Sequence, residues 1–191
     1  YQKLADFNSQ NPEKGGPWYK KSLEVKKQTA LLYDYIDSLK NVIVKKADGK
    51  DGDVNNIEHQ DDLEAASYIM LSPAQKQGMK LRKGIDDYRN LIGSLMTDSI
   101  KRAAIENYLS TTIHSGNRTQ APSMWETTLF ENMPVIAAVT ILTKIQSDVR
   151  YAESEALHTL INNIDEGDVR VNQLNAFVIP NSKNIMRGGK Y

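Results

Sequence analysis

Apolar side chains in the last third of the chain repeat at the spacing of an α-helix. The series is Val135, Val139, Leu142, Ile145, Val149, Ala152, Ala156, Leu160 and Ile164. Residues three and four apart share one face of a helix. The pattern therefore predicts one long amphipathic helix from about Pro134 to about Ile164, roughly 45 Å in length at ~1.5 Å per residue. Gly167 follows where a helix terminator is expected.

The N-terminal part of the chain carries a second pattern of this kind. Its apolar positions are Leu32, Ile36, Leu39 and Ile43. We expect this helix to begin near Trp18, with Pro17 in the first turn, because the missing N–H of a proline costs nothing there. We expect it to end near Lys46. The breaker dipeptides Asn11-Pro12 and Gly15-Gly16 predict irregular backbone before it.

Shorter helical segments are predicted between these two. One starts near Asp61, and the dipeptide Ser72-Pro73 interrupts or restarts it. Ser72 can cap a new helix, and Pro73 can occupy the first helical position. The pattern then continues to about Leu95, and Asp98 is expected to cap a further helix.

The sequence changes character after Gly167. Residues 176–179 form a short apolar run rich in strand-forming residues, and Pro180 closes it. We therefore predict a helical domain at 1–168, and at 169–191 an extended linker with the first strand of a following, truncated β domain. The expected fold is all-α: an antiparallel bundle of about four main helices, the last one long, with a short extended tail.

Composition narrows the function classes. The 191 residues are 40% hydrophobic, contain no cysteine and carry 24 basic and 24 acidic side chains. Such a chain can bury a core, cannot form disulfides and lacks the basic excess of a nucleic-acid binder. No stretch reaches the ~18 apolar residues of a membrane-spanning helix. Because the first residue is Tyr1, we expect that a natural start, with any signal peptide or anchor, has been removed.

No catalytic motif is present in the sequence. It contains no nucleophile elbow, no phosphate-binding loop and no zinc-protease motif, and its three histidines lie far apart. We therefore predict that the chain is not an enzyme and binds no cofactor.

A segment near residue 50 comes close to a calcium loop. Asp51, Asp53, Asn55 and Asp62 occupy positions one, three, five and twelve of that motif. However, Asn56 stands where the motif requires glycine, and Asp62 is shorter than the usual glutamate. A weak calcium site is therefore the minor hypothesis, and a solvated acidic loop is the favoured one.

Several stretches carry a family resemblance. They are Trp125-Glu126 with Phe130, the run 133–149, Ala152-Glu153, the run 178–182, and the segment 35–40 of the first long helix. Together they resemble the GldM/PorM family of the gliding-motility and type IX secretion machinery of Bacteroidetes. The resemblance covers nearly the whole chain and is most specific over residues 125–182.

The resemblance implies a place in a larger machine. Family members have one inner-membrane helix, a helical periplasmic domain and then β-sandwich-like domains, and they form homodimers. With the membrane protein GldL/PorL they form a motor that uses the proton gradient, and their distal end contacts ring-forming lipoproteins near the outer membrane. The chain is thus expected to be a periplasmic, inner-membrane-anchored stalk domain, whose membrane helix lies outside this sequence and which binds no nucleic acid.

Four residues of the resembling region are expected to be structural. Trp125, Glu126 and Phe130 precede the last helix and Pro134 sits in its first turn, so we interpret them as packing residues that anchor its start. The main alternative function is a periplasmic ligand-sensing four-helix bundle of the chemoreceptor type. Such a bundle would return to the membrane through its last helix and would gather converging polar groups, and the sequence indicates neither.

Overall fold

Two helices of nearly equal length form the frame of the molecule. In the computed structural model α2 spans Pro12–Asp48 and α7 spans Val135–Asn172, with 37 and 38 residues. At ~1.5 Å per residue each helix is roughly 55 Å long. They run antiparallel: Lys40, late in α2, contacts Gln146, early in α7, whereas Trp18, early in α2, packs in one cluster with Leu160, late in α7.

The structure describes residues 1–113 and 124–172, with side chains described as far as Ile164. Within these ranges seven helices are present: α1 (Gln2–Gln10), α2 (Pro12–Asp48), α3 (Glu64–Leu71), α4 (Gln77–Leu95), α5 (Ser99–Tyr108), α6 (Trp125–Phe130) and α7 (Val135–Asn172). The predicted all-α class is confirmed. The predicted strand at 176–179 lies outside the described residues, and the division at residue 168 stays a prediction.

Helix α4 completes the core by packing against both long helices. The hydroxyl of Tyr88 lies 2.8 Å from Thr29 Oγ1 of α2 and donates to the carbonyl of Val149 of α7 at 3.3 Å. The side chains around this point are buried, and most of the apolar residues of α2, α4 and α7 join one continuous core. These hydrogen bonds from Tyr88 to Thr29 and Val149 therefore fix the axial positions of the three helices relative to one another inside an otherwise apolar interior.

The start of α2 differs from the prediction. The helix begins at Pro12, with the side chain of Asn11 accepting a hydrogen bond from Lys14 N at 3.3 Å. Gly15 does not break the helix but lets α1 approach, because a Cβ there would lie 2.7 Å from the Cα of Asn8. Pro17 lies inside α2 and not in its first turn. The sequence prediction was wrong here because α1 supplies a packing partner that tolerates only glycine.

One further boundary differs from the prediction and another agrees with it. Ser72-Pro73 ends α3, but α4 begins only at Gln77, after Lys76 with a left-handed φ of 52°. The prediction that Ser72 caps the next helix was therefore wrong. Asp98, in contrast, does cap α5, accepting hydrogen bonds from Ile100 N and Lys101 N, as predicted.

The last helix runs past its predicted terminator. Helix α7 continues through Gly167 to Asn172. A glycine inside a helix costs only about 1 kcal/mol relative to alanine, and no proline follows until Pro180. No helix in the described part of the chain combines the length and apolar character needed to cross a membrane.

Candidate functional site

The start of α7 is held by an aromatic pair from α6. Trp125 and Phe130 are buried, and their rings meet edge to face with centroids 6.2 Å apart. Phe130 is among the largest fully buried side chains of the described residues. Edge-to-face pairs add about 0.5–1.5 kcal/mol to the burial itself. The pair therefore fixes α6 as the support on which α7 begins.

A serine of α3 fastens the turn between α6 and α7. Ser67 Oγ donates to the carbonyl of Phe130 at 2.9 Å and accepts from the backbone N–H of Asn132 at 2.8 Å. Asn132 has a left-handed φ of 49°, which asparagine tolerates better than most residues. Pro134 then directly precedes α7, and its carbonyl accepts the N–H of Ala138 at 2.9 Å.

The first N–H groups of α7 are satisfied by the loop that follows α2. Val135 N donates to the carbonyl of Asp62 at 3.0 Å, and Ile136 N donates to the carbonyl of Gln60 at 3.2 Å. A helix start leaves such donors without intrahelical partners. The loop 49–63 therefore connects the end of one long helix to the beginning of the other, which no sequence motif had indicated.

A buried carboxylate joins α6 to α4. Glu126 is only 3% exposed and forms an ion pair with Arg82, with Oε2 3.2 Å from Nη1. Neither carboxylate oxygen has a hydrogen bond of good geometry in the described part of the chain. A Cβ at Gly78 would lie 2.7 Å from Glu126 Cβ, so glycine is required on α4 at this crossing. Truncating Arg82 would leave a buried charge uncompensated, which is strongly destabilising.

The loop 49–63 is closed by Asp48, an aspartate at the end of α2. The carboxylate of Asp48 accepts from the backbone N–H of Glu58 at 2.9 Å and of His59 at 2.8 Å, and it lies 2.9 Å from His59 Nδ1. The hydrogen bond from the Glu58 N–H is the main cause that lowers the pKa of Asp48. The hydrogen bond to Asp48 in turn raises the pKa of His59.

The four candidate calcium ligands have other partners or no common centre. Asp53 Oδ1 accepts two hydrogen bonds from Asn55, and Asp62 Oδ1 caps the first turn of α3 at 2.8 and 2.7 Å. Among the described residues, no group of three or more His, Asp or Glu side chains is arranged to hold a metal ion. Asp51 therefore does not complete a metal site with Asp53 and Asp62. The calcium hypothesis gains no support from this geometry and stays a prediction.

Polar side chains tie α2 to α7 within the core. Lys40 is 8% exposed, and its ammonium donates to Gln146 Oε1 at 2.7 Å and lies 3.1 Å from Asp37. The other end of the Gln146 amide donates to the carbonyl of Tyr33 at 3.1 Å. A buried ammonium requires such partners. This bridge therefore allows only one axial register between the two long helices.

The N-terminus of the chain contacts the middle of α7. The Tyr1 hydroxyl donates to Glu153 Oε1 at 2.5 Å, and Arg150 pairs with the same carboxylate at 2.9 Å. Burial, followed by the bond to Glu153, raises the pKa of Tyr1, while burial raises the pKa of Tyr88 to about 12. Leu4 packs beside these groups against the last described turns of α7.

Two open grooves lie on the surface of the described part of the chain. The first, between α2 and α4, has an apolar floor that includes Leu32 and Tyr88. The second, between α4 and α5, is polar and includes Arg89, Arg102 and Glu106. No sequence pattern indicated the second groove, because its residues come from two helices and the segment after α5 and share no motif spacing.

The arrangement as a whole is suited to bearing load. Backbone carbonyls of the loop after α2 hold the first turn of α7, and side-chain hydrogen bonds from Lys40 and Tyr1 hold its middle. Close-packed interiors have low compressibility and transmit strain.

One comparison with known proteins gives a match. The family model described as the GldM N-terminal domain matches residues 1–163. No curated protein matches the chain. The matched residues include α1 to α6 and most of α7, and therefore every contact described above.

Proposed function

We propose that this chain, which belongs to the GldM family because the N-terminal domain model matches 163 of its 191 residues, is a load-bearing periplasmic stalk domain. Membership makes it a component of the gliding-motility and type IX secretion machinery, in which the family is a structural component. The stalk role goes further, and the contacts that join the two long helices support it.

The single observation that carries the proposal is the way the long helices are joined. Asp62 and Gln60 cap the first turn of α7 from the loop that leaves α2, and Tyr1 bonds to Glu153 at the middle of α7. Between them Lys40 fixes the register through Gln146. A displacement applied to either helix is thus passed to the other without slippage, as a stalk requires.

The finer assignments rest on the family resemblance. We propose that the domain lies in the periplasm and is anchored in the inner membrane through a helix outside this sequence. In this proposal the protein is a homodimer, its motor partner is the GldL/PorL-like membrane protein, and its distal partners are ring lipoproteins. The domain carries structure and motion, and it performs no catalysis.

Site-specific photo-crosslinking in cells tests the proposal. A photoreactive residue is placed at Leu23 on α2 or at Ile136 on α7, which are 44% and 42% exposed, and at the fully buried Ile36 as the matched control. We expect the two exposed positions to capture a second copy, the motor protein or the ring lipoproteins, identified by mass spectrometry, and the buried position to capture none.

The alternative function, a periplasmic ligand-sensing bundle, predicts different results. A ligand-sensing bundle would be captured with signalling kinases, and cells lacking the protein would lose directed responses but still secrete and glide. Normal secretion and gliding in such cells would contradict the stalk.

A further inference from the structure

The polar groove between α4 and α5 has the features of a small-ligand site. Its volume is about 460 Å³, and Ser94 and Ser110 contribute hydroxyls to its wall beside two arginines and a glutamate. Ligand sites commonly range over ~300–1,000 Å³ and orient their ligand through a few polar groups. No contact described for the stalk uses this groove.

The two arginines are held in place by backbone carbonyls. Arg89 donates to the carbonyl of Leu109 at 3.2 Å and pairs with Asp86 at 2.9 Å. Arg102 donates to the carbonyl of Met96 at 2.8 Å. Because a guanidinium has five N–H donors, both side chains are oriented while donors remain for a ligand.

Two opposite charges in the groove have no ionic partner among the described residues. Arg102 and Glu106 lie one turn apart on α5, yet neither forms an ion pair with a described residue. Glu106 Oε1 faces the buried Gly93 on α4, and a Cβ added at that glycine would lie 4.0 Å from it. The glycine therefore leaves the floor of the groove open in front of the carboxylate.

We propose that this groove binds a small zwitterion, an α-amino acid or a compound with the same pair of groups. The carboxylate of the ligand pairs with Arg102 and the ammonium group pairs with Glu106, above Gly93.

Charge balance favours a zwitterion over a simple anion. The charge of Arg89 is already compensated by Asp86, so Arg102 and Glu106 are the two solvent-exposed groove charges without an ionic partner among the described residues. A ligand with only a carboxylate would satisfy Arg102 and add repulsion with Glu106. A ligand with both groups satisfies both, and charge-assisted hydrogen bonds are about twice as strong as neutral ones.

The test uses the 191-residue chain and L-alanine as the probe, followed by ¹⁵N–¹H NMR. We expect saturable shifts of the amides of Gly93, Ser94 and Ser110, with a Kd on the order of 1 mM, as suits an open groove. Acetate and ethylamine serve as probes with one charge each. Both should bind at least about tenfold more weakly than L-alanine, because each leaves one groove charge unpaired.

A pair of glycine variants provides the matched comparison. Gly93→Ala fills the floor of the groove, whereas Gly84→Ala, on the same helix, faces Leu32 at an ordinary 3.4 Å contact. Both changes favour the helix, so lost binding in Gly93→Ala is not explained by unfolding. We expect Gly93→Ala and Arg102→Gln to abolish the shifts and Gly84→Ala to retain them.

Three results of these experiments would contradict the proposed zwitterion site. The proposal is overturned if L-alanine gives no saturable shift at about twenty times that Kd, or if Gly93→Ala responds as Gly84→Ala does. Acetate binding as tightly as L-alanine would also overturn it, because that result describes an anion site.

Discussion

Replacing Gly15 by alanine tests the packing of α1 on α2. A Cβ at this position would lie 2.7 Å from the Cα of Asn8 and 2.9 Å from its N. Both are backbone atoms, so the helices would have to separate by roughly 1 Å to restore ordinary carbon contacts of about 3.5–4.0 Å. Such overpacking costs about 1–3 kcal/mol.

The neighbouring glycine provides an internal reference. A Cβ at Gly16 comes no closer than 3.6 Å, to the side-chain oxygen of Asn8. Either substitution gains about 0.5–1 kcal/mol by removing a helical glycine. The difference between Gly15→Ala and Gly16→Ala therefore isolates the clash, and we expect it to be about 1–3 kcal/mol in the free energy of unfolding.

Urea denaturation followed by circular dichroism measures this difference. Hydrogen exchange locates it: in Gly15→Ala the amides of Gln2–Gln10 should exchange faster, because separation of the helices pulls Leu4 from its contacts with α7. Equal stabilities of the two variants, within about 0.5 kcal/mol, would refute the close approach of α1 and α2.

Three further results are expected. His59→Gln should remove a pH dependence of the free energy of unfolding. Because the folded pKa of His59 is raised above 6.5, its bond to Asp48 contributes its full stabilisation below pH 6.5, and this contribution is lost as pH rises through the folded pKa. Urea midpoints measured across about pH 5.5–8.5 will report the difference. Gln146→Leu should cost about 1–3 kcal/mol by leaving the ammonium of Lys40 short of a partner, and adding Lys40→Met should recover much of this; a double variant less stable than the single one would contradict the bridge. Phe130→Ala should lower the free energy of unfolding by about 3–5 kcal/mol in the same assay, and a loss under about 1 kcal/mol would contradict its role in anchoring α7.

The long helices could be predicted because burial imposes its period on the sequence. Leu32 and Ile36 on α2, and Val149 on α7, are buried where the spacing put them on one face. The start of α2 could not be predicted, since Gly15 acquires its meaning only from α1, a helix in which Leu4 alone is fully buried. Periodicity reports which face of a helix is covered and not which element covers it.

The contacts of the loop 49–63 and of the groove between α4 and α5 could not be predicted from the sequence for a related reason. Carbonyls such as that of Asp62 cap α7 whatever their side chains are, so the sequence carries no trace of the interaction. The groove charges Arg102 and Glu106 stand on an exposed helix, where charged residues are ordinary. Their significance lies in the absence of an ionic partner among the described residues, which only the three-dimensional structure reveals.

The bond between Tyr1 and Glu153 also governs the order in which the chain can fold. The first residue finds its partner 152 positions later, and Leu4 packs against Leu160. Such contacts close a very long loop, and chains rich in them fold slowly. Until α7 has been synthesised, the apolar face of α2 has no cover from its main partner. A growing chain must therefore keep that face from aggregating, and its two long helices become a single cooperative unit only when the last helix arrives.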